Sequence, residues 1–490
     1  MFHKAVARLE TRRPDPTRRP RPRFRPAADR AVVPGPPADP VRSVARPADP
    51  GALGPATTPA AIAERAGLGF PPEILLSDTT LCDGELAPGV AFSPQEKLRI
   101  AERLAALGVP LIEAGFPAVS AEEVAAVRGI VEAELGVAVQ AIARPLKHDI
   151  DMAVHSGAHR IALCVGTSDA HVERWLRTDR AQLLAQIRDA VGYARKSGRQ
   201  IVFTAEDATR TDPDFLLAAL CAAADAGADA IGLADTAGVA TPESIADLVR
   251  RAAAGCPLPI TVHCRNDLGL ATANTIAGLG AGATGAQCSV LGLGGRAGNT
   301  CLEELALALE VGYHVRTGLD LRGLAPLARQ VAALAGQVIG PGRPVVGRNA
   351  FLHESGLRTS AVVREPSTHE PYPPELIGRG RSFTVGKHTG PAGAGHVLAR
   401  HGLARHGLAP ADARLDALLG EAGRRGFRGE PLREDELLQP AQNLFALPGG
   451  GSEPEKAGPA GPGLPGAQWA GPDSSLAQRV SGLDALNGAG

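Results

Sequence analysis

From Ile74 onward the chain repeats one unit. A short apolar run ends in polar residues, and an Ala/Leu-rich stretch with apolar positions at helical spacing follows it. The predicted strands are ILLSD (74–78), LIEAGF (111–116), VQAIAR (139–144), RIALCVG (160–166), IVFTAED (201–207), AIGLADT (230–236), ITVHC (260–264) and AQCSVLG (286–292). They recur every 20–40 residues or so, roughly the spacing of βα units. The helices between them carry boundary signals. In SPQEKLRIAERLAALG, Ser93 is placed to cap, Pro94 suits the first helical position, Glu96 completes a capping box and Gly108 ends the run. Leu98, Ala101, Leu104, Ala105 and Leu107 form its expected apolar stripe.

Eight consecutive units of this kind predict a closed parallel barrel of the TIM (β/α)8 class. An open doubly wound sheet is the alternative, because periodicity alone does not prove closure. The expected organisation is a disordered Pro/Arg-rich extension over 1–70, the barrel over 71–330, a small lid and helical subdomain over 331–445, and a disordered Gly/Pro-rich tail over 446–490. An Arg-rich targeting peptide is the alternative reading of the first segment, opposed by its proline density.

Composition narrows the classes. The chain has 490 residues, 44% hydrophobic, enough for one large core or two ordinary ones, and a formal net charge of -1. Only 3% aromatic content argues against a base-stacking nucleic-acid surface. No apolar stretch reaches the roughly 18 residues that span a bilayer. The seven cysteines, at 82, 164, 221, 256, 264, 288 and 301, form no C-x-x-C pair, which fits a reduced, cytoplasmic protein.

In a barrel of this class chemistry collects where strands end. That rule gathers Asp78 and Asp83, Glu113, Arg144, then Thr204, Glu206 and Asp207, then Asp235 and Thr236, then His263 with Arg265, Asn266 and Asp267, and finally Asn299. Asp, His and Asn together suit a divalent ion with open positions, able to polarise an α-keto acid. The bland alternative is that strand-end Asp and Thr cap the following helices. GLGGRAGN, Gly292 to Asn299, is a weak candidate anion cradle that gains weight from following the eighth strand. Beyond the barrel, two Gly- and Arg-rich segments carry His353 and His388 and suggest a lid, although a lone histidine is more often structural.

DTTLCDGELAPGVAF, EAGFP, EDATR, LADTAGVATP, VHCRNDLGLATAN, GLGGRAGNTCLEE and VGKHTG, taken in order from Ile74 to Gly390, resemble the homocitrate synthase and 2-isopropylmalate synthase family. GVAF and PPELIGRGRSFTVGKHTG look most like the nitrogen-fixation homocitrate synthases, which supply homocitrate for the nitrogenase FeMo-cofactor. The resemblance implies a metal-dependent Claisen condensation of acetyl-CoA with 2-oxoglutarate, followed by thioester hydrolysis to homocitrate and CoA. The same family contains 2-isopropylmalate and citramalate synthases. The implied cofactor is a divalent metal, Mg2+, Mn2+ or Zn2+, on Asp83, His263 and Asn299. Arg144, Thr204 and Thr236 fall at substrate positions, and Asp83, Glu206 and His353 at catalytic ones. A homodimer with exchanged lids is implied, and neither nucleic acid nor membrane is an expected partner.

The sequence departs from that pattern at three site positions. Cys82 stands where the family has Arg, Arg265 where it has a second metal-binding His, and Arg358 where it has a lid His. Leu86 replaces a usual Gln. Guanidinium has no lone pair for a metal. Three accounts remain open: an enzyme with rearranged roles, in which Arg265 or Arg358 restores the lost positive charge; a catalytically impaired relative that still binds metal or 2-oxo acid; and reading errors, each Arg exchange being one base change from a CGC-type codon. Cys82 itself reads as a passive small residue, a soft ligand or a nucleophile.

Overall fold

The computed structural model describes residues 68–401 and 413–445. The extensions expected over 1–70 and 446–490 therefore fall outside the described residues, except for 68–70. These three pack on the barrel: the Gly69 N–H donates to the Gly280 carbonyl and Phe70 meets Tyr313 with ring centroids 5.1 Å apart.

Eight parallel strands close on themselves in sequence order, β1 (Leu75–Asp78), β2 (Leu111–Gly115), β3 (Ala138–Ala143), β4 (Arg160–Gly166), β5 (Gln200–Glu206), β6 (Ala230–Asp235), β7 (Ile260–Cys264) and β8 (Gly285–Cys288). Closure runs through β1 and β8, with Leu75 opposite Gly285 and Asp78 opposite Cys288. The open-sheet alternative is thereby excluded. The outer ring is α1 (Pro94–Leu107), α2 (Ala121–Glu132), α3 (Lys147–His155), α4 (Arg180–Arg195), α5 (Pro213–Asp225), α6 (Pro242–Gly255), α7 (Ala271–Gly280) and α8 (Leu302–Leu307), with α9 (Leu324–Leu334) after it.

Helix α1 starts as its sequence demands. Ser93 accepts from the Glu96 N–H, Glu96 reaches back to Ser93, Pro94 leads the helix and Gly108 closes it in the left-handed region at φ 95°. The buried face is turned from the expected one. Lys97 and Ile100 are inside with Ala101, Leu104 and Leu107, whereas Leu98 and Ala105 are half-buried. A lysine faces inward because carboxylates wait there: Lys97 Nζ lies 2.6 Å from Glu85 and 2.7 Å from Glu123. Strand β8 is shorter than expected, because the chain enters a 3-10 turn over Val290–Gly292, within which Leu291 adopts φ 58°.

The region after the barrel is not wholly helical. Segments up to Ile377 pack Phe351 and Ile377 onto the barrel core. A second core, built on Phe383, Val385, Val397, Leu398, Leu418 and Leu437, belongs to a small subdomain. Its three-stranded sheet has β10 (Ser382–Val385) between β9 (Leu352–His353) and β11 (Leu432–Arg433). Around it lie α10 (Gly356–Arg364), α11 (Pro391–Arg400), α12 (Ala413–Phe427) and α13 (Glu434–Phe445). Two-residue strands carry no readable alternation, which is why only helices were expected here. Among the described residues no helix is long and apolar enough to cross a membrane.

Candidate active site

The ends of the barrel strands enclose a cavity of about 310 Å³. Its wall contains Asp83, Glu113, Thr204, Glu206, Thr236, His263 and Arg265, seven of the strand-end residues expected from sequence, together with Cys82. The loop after β1 delivers Cys82 and Asp83, the last strand residues of β5 and β6 deliver Glu206 and its neighbours, and β7 delivers His263.

Asp83 is the hub. Its Oδ1 accepts from Arg265 Nη2 at 2.6 Å, its Oδ2 accepts from Asn299 Nδ2 at 2.6 Å, and His263 Nε2 lies 3.7 Å from Oδ2. The Asn299 amide is oriented by two acceptors, since Nδ2 also donates to the Leu293 carbonyl at 2.9 Å. Gly294 makes this possible: a Cβ there would lie 2.5 Å from Asn299 Nδ2. The glycine-rich loop thus serves to fold over Asn299. It also borders a second cavity of about 340 Å³ lined by Arg296 and Arg343, both already paired with Asp267 and Glu304.

The residues expected to hold a divalent ion, Asp83, His263 and Asn299, do come together, but as they stand they do not fit one. Both Asp83 oxygens are engaged. An ion at the usual 2.0–2.6 Å or so from Oδ1 would share that oxygen with a permanent cation. Arg265 is only 11% exposed, so solvent screens the two positive charges poorly. Among the described residues no group of three or more His, Cys, Asp or Glu side chains is arranged to hold a metal. Burial holds the His263 imidazole below its ordinary pKa; the Arg265 charge adds to this and Asp83 opposes it.

Two expected site residues lie elsewhere. Arg144, at the end of β3, is turned to Asp149 with Nε 2.6 Å from Oδ2, is 60% exposed and does not line the cavity. Its carboxylate partner sits almost wholly buried on α3, which draws the guanidinium outward from the strand end. His353, on β9, contacts Glu370 at 2.9 Å. Arg381 clamps the same carboxylate, so His353 belongs to a satisfied buried cluster away from the cavity wall. His388 and Arg358 are exposed. The strand-end acids Asp78, Asp207 and Asp235 are tied into their own loops, while Ser93, Asp212 and Thr241 cap the helices that follow. Asp78 accepts from the Thr80 N–H, Asp207 is held by Arg210 and Ser168, and Asp235 accepts from the N–H groups of Val239 and Ala240.

The floor of the cavity holds a cluster that strand-end reasoning leaves incomplete. Glu113 accepts from Gln140 Nε2 at 2.7 Å and Gln287 Nε2 at 3.2 Å, and the Cys82 thiol points at it. Burial, reinforced by Asp83, pushes Glu113 up to about 7. Glu206 is also pushed up, by burial first, with Arg265 opposing. The Cys82 thiol is pushed well above its usual range by burial, and Glu113 and Asp83 add to this. It is therefore a neutral donor at neutral pH, aimed at Glu113. The sequence signal for the floor was present: Gln140 and Gln287 are lone polar residues inside otherwise apolar strands.

This geometry agrees with comparisons to known proteins. The HMGL-like family model matches residues 73–331, and a model described as homocitrate synthase post-HMGL domain-like matches residues 345–412. A protein assigned as a 2-isopropylmalate synthase in Ignicoccus hospitalis is 42% identical over 380 residues, 77% of this chain and 93% of its own. Homocitrate synthase AksA of Methanothermobacter thermautotrophicus is 42% identical over 327 residues, 67% of this chain and 84% of its own. A Methanopyrus kandleri protein assigned as (R)-citramalate synthase CimA is 41% identical, covering 77% of this chain and 74% of its own. Among solved structures, the HMG-CoA lyase of Bacillus subtilis superposes with a TM-score of 0.51 at 20% identity, over 56% of this chain and 98% of its own, a likeness of fold. The chain belongs to the HMGL-like family, in the group of homocitrate, citramalate and 2-isopropylmalate synthases.

Proposed function

We propose that this protein condenses the acetyl group of acetyl-CoA with a 2-oxo acid and hydrolyses the resulting thioester, with 2-oxoglutarate as its 2-oxo acid and homocitrate as its product. The observation that carries the choice of acid is the match of residues 345–412 to the homocitrate synthase post-HMGL domain, immediately after the barrel. Homocitrate made here would serve nitrogenase cofactor assembly.

The chain's own residues supply the chemistry. A methyl C–H bond of acetyl-CoA breaks, its carbon bonds to the keto carbon, and the alkoxide that develops needs a positive partner and a proton. Arg265 is the cation in the described cavity wall. Glu113, raised by burial to about 7, is able to hold or accept a proton near neutral pH, and burial raises Glu206 in the same direction. Thr204 and Thr236 line the same cavity, and the Thr236 hydroxyl accepts from the Asp207 N–H. Water then cleaves the thioester and CoA leaves.

The mouth of the barrel carries exposed apolar side chains on the loops after β1, β2, β4 and β7, namely Leu86, Val119, Trp175 and Leu268. Helix α10 presents Leu357, 87% exposed, beside Arg358. These features support a homodimer in which α10 of one protomer covers its partner's barrel and brings Arg358 to the anion.

A second reading, a silent relative that binds 2-oxo acids, is favoured by the uncharged, buried Cys82 in place of an arginine. CoA release from acetyl-CoA with 2-oxoglutarate, 2-oxoisovalerate and pyruvate separates the two. Fastest release with 2-oxoglutarate supports the synthase; binding without release from any acid supports the silent relative.

A further inference from the structure

We infer that the guanidinium of Arg265 holds the place at Asp83 that a divalent cation would take, so that this site meets its anionic ligand with a tethered cation and takes up no Mg2+ or Mn2+ there. The identity of the ligand, a 2-oxo acid, rests on the function proposed above; the exchange of cation does not.

Three independent observations converge. Arg265 follows β7 directly, two residues after His263, and its backbone is bridged to that of Asn299, so the ends of β7 and of the glycine-rich loop fix it between the other two expected donors. From there Nη2 reaches Asp83 Oδ1 at 2.6 Å while the Asn299 amide takes Oδ2 at 2.6 Å. Arg265 neutralises the carboxylate on one side, and on the other Asn299 presents Nδ2, a neutral donor. The amide oxygen that a metal would need from Asn299 is buried without a partner.

The guanidinium, moreover, has donors to spare. It carries five N–H bonds. One is spent on Asp83, one makes a long contact of 3.4 Å with the Gly295 carbonyl, and the buried Nε–H has no acceptor. A buried donor without an acceptor is costly unless a ligand supplies one. The coplanar carboxylate and keto oxygens of a 2-oxo acid match the planar fork of a guanidinium. Glycine at 295 leaves the space open, since a Cβ there would lie 3.3 Å from Nη1.

Charge balance points the same way. The cavity wall carries Asp83, Glu85, Glu113, Glu123 and Glu206 and, among the described residues, Arg265 as its one cation. Lys97 pairs with both Glu85 and Glu123 from behind and offsets one of their two charges. That leaves the Arg265 guanidinium, paired with Asp83, as the positive group an incoming anion meets in the wall.

The test uses the full chain, Mn2+ and 2-oxoglutarate. Free Mn2+ is read by electron paramagnetic resonance, and 2-oxoglutarate binding by calorimetry in EDTA and again in excess Mn2+. The wild type should leave the Mn2+ signal undiminished and bind 2-oxoglutarate with a Kd that changes less than about twofold between the two conditions. Arg265→His, which places an imidazole beside His263, should raise Mn2+ affinity by roughly tenfold or more, the least expected from repairing a ligand shell. One equivalent of Mn2+ bound by the wild type and lost in Asp83→Asn would overturn the inference, as would 2-oxoglutarate binding that requires Mn2+. If Mn2+ stays free and 2-oxoglutarate binds in neither condition, the cation exchange stands and the proposed substrate falls. The wild-type titration decides the question even if the histidine variant fails to fold.

Discussion

Replacing Lys97 with Met tests how the barrel holds the loop that follows β1. The ammonium is 1% exposed, lies 2.6 Å from Glu85 and 2.7 Å from Glu123, and those carboxylates are about four-fifths buried. Glu85 in turn accepts the Phe92 N–H and Glu123 the Phe116 N–H, so one cation ties the loop carrying Asp83 to the end of β2. Burial alone would lower the lysine pKa, but Glu123 and Glu85 outweigh it and the net shift is upward. A raised lysine pKa contributes stability that is complete below the unfolded value, near 10.4, and is lost only as pH climbs through the folded one. At neutral pH the full contribution is in force.

Removing one partner of a buried ionic group costs about 3–5 kcal/mol, because the remaining charges stay buried and unpaired. For a unit the size of this barrel each kcal/mol moves Tm by about 2–4 °C, so Lys97→Met should lower Tm by roughly 6–20 °C. Adding Glu85→Gln and Glu123→Gln to that variant should recover most of the loss, since the uncompensated charges are then gone. Scanning calorimetry of the wild type, the single and the triple variant reads both numbers. A single-variant drop below about 2 °C, or a triple variant no better than the single, would refute the ion-network account.

Other predictions bear on the cavity directly. Glu113, at about 7 against an ordinary 4.5, binds more protons folded than unfolded between those values, so the folded state loses stability across that window as pH rises. Glu113→Gln should flatten the slope, a difference on the order of 3 kcal/mol at pH 7 or above, read by denaturant titrations at pH 4.5 and 8; parallel curves would contradict the burial argument. Arg144→Ala should leave 2-oxo acid affinity within about twofold, because its partner is Asp149 outside the cavity; a loss beyond tenfold by calorimetry would return Arg144 to the binding site. Gly294→Ala should displace the Asn299 amide and cost roughly 1–3 kcal/mol of stability, measured by urea unfolding. The triple variant Cys82→Arg, Arg265→His and Arg358→His should raise CoA release with Mn2+ by about 100-fold or more if lost electrostatic donors limit turnover; no gain from a folded variant would argue against that cause.

The barrel was legible because each strand is a short apolar run closed by polar residues, and each helix begins with readable chemistry such as Ser93, Pro94 and Glu96. Convergence of Asp83, Thr204, Glu206, Thr236 and His263 followed from one rule, that parallel strands deliver their last residues to one rim. Where the reading departed, a tertiary partner decided. Lys97 turned inward because two carboxylates from other segments wait there. Arg144 left the rim for Asp149, and His353 was claimed by Glu370 and Arg381. The 3-10 turn over Val290–Gly292 ended β8 early, with Leu291 in a backbone conformation that composition does not announce. Arg265 stood out as a departure in sequence, but its engagement of Asp83 needed the fold, because the two residues lie 182 positions apart.

The reaction itself can be followed with acetyl-CoA carrying 13C in the acetyl methyl, mixed with 2-oxoglutarate and the purified protein, and observed by NMR. The account predicts homocitrate labelled in the newly joined methylene, formed in step with free CoA. Absence of any labelled condensation product with 2-oxoglutarate, 2-oxoisovalerate or pyruvate, from protein that binds these acids, would contradict it.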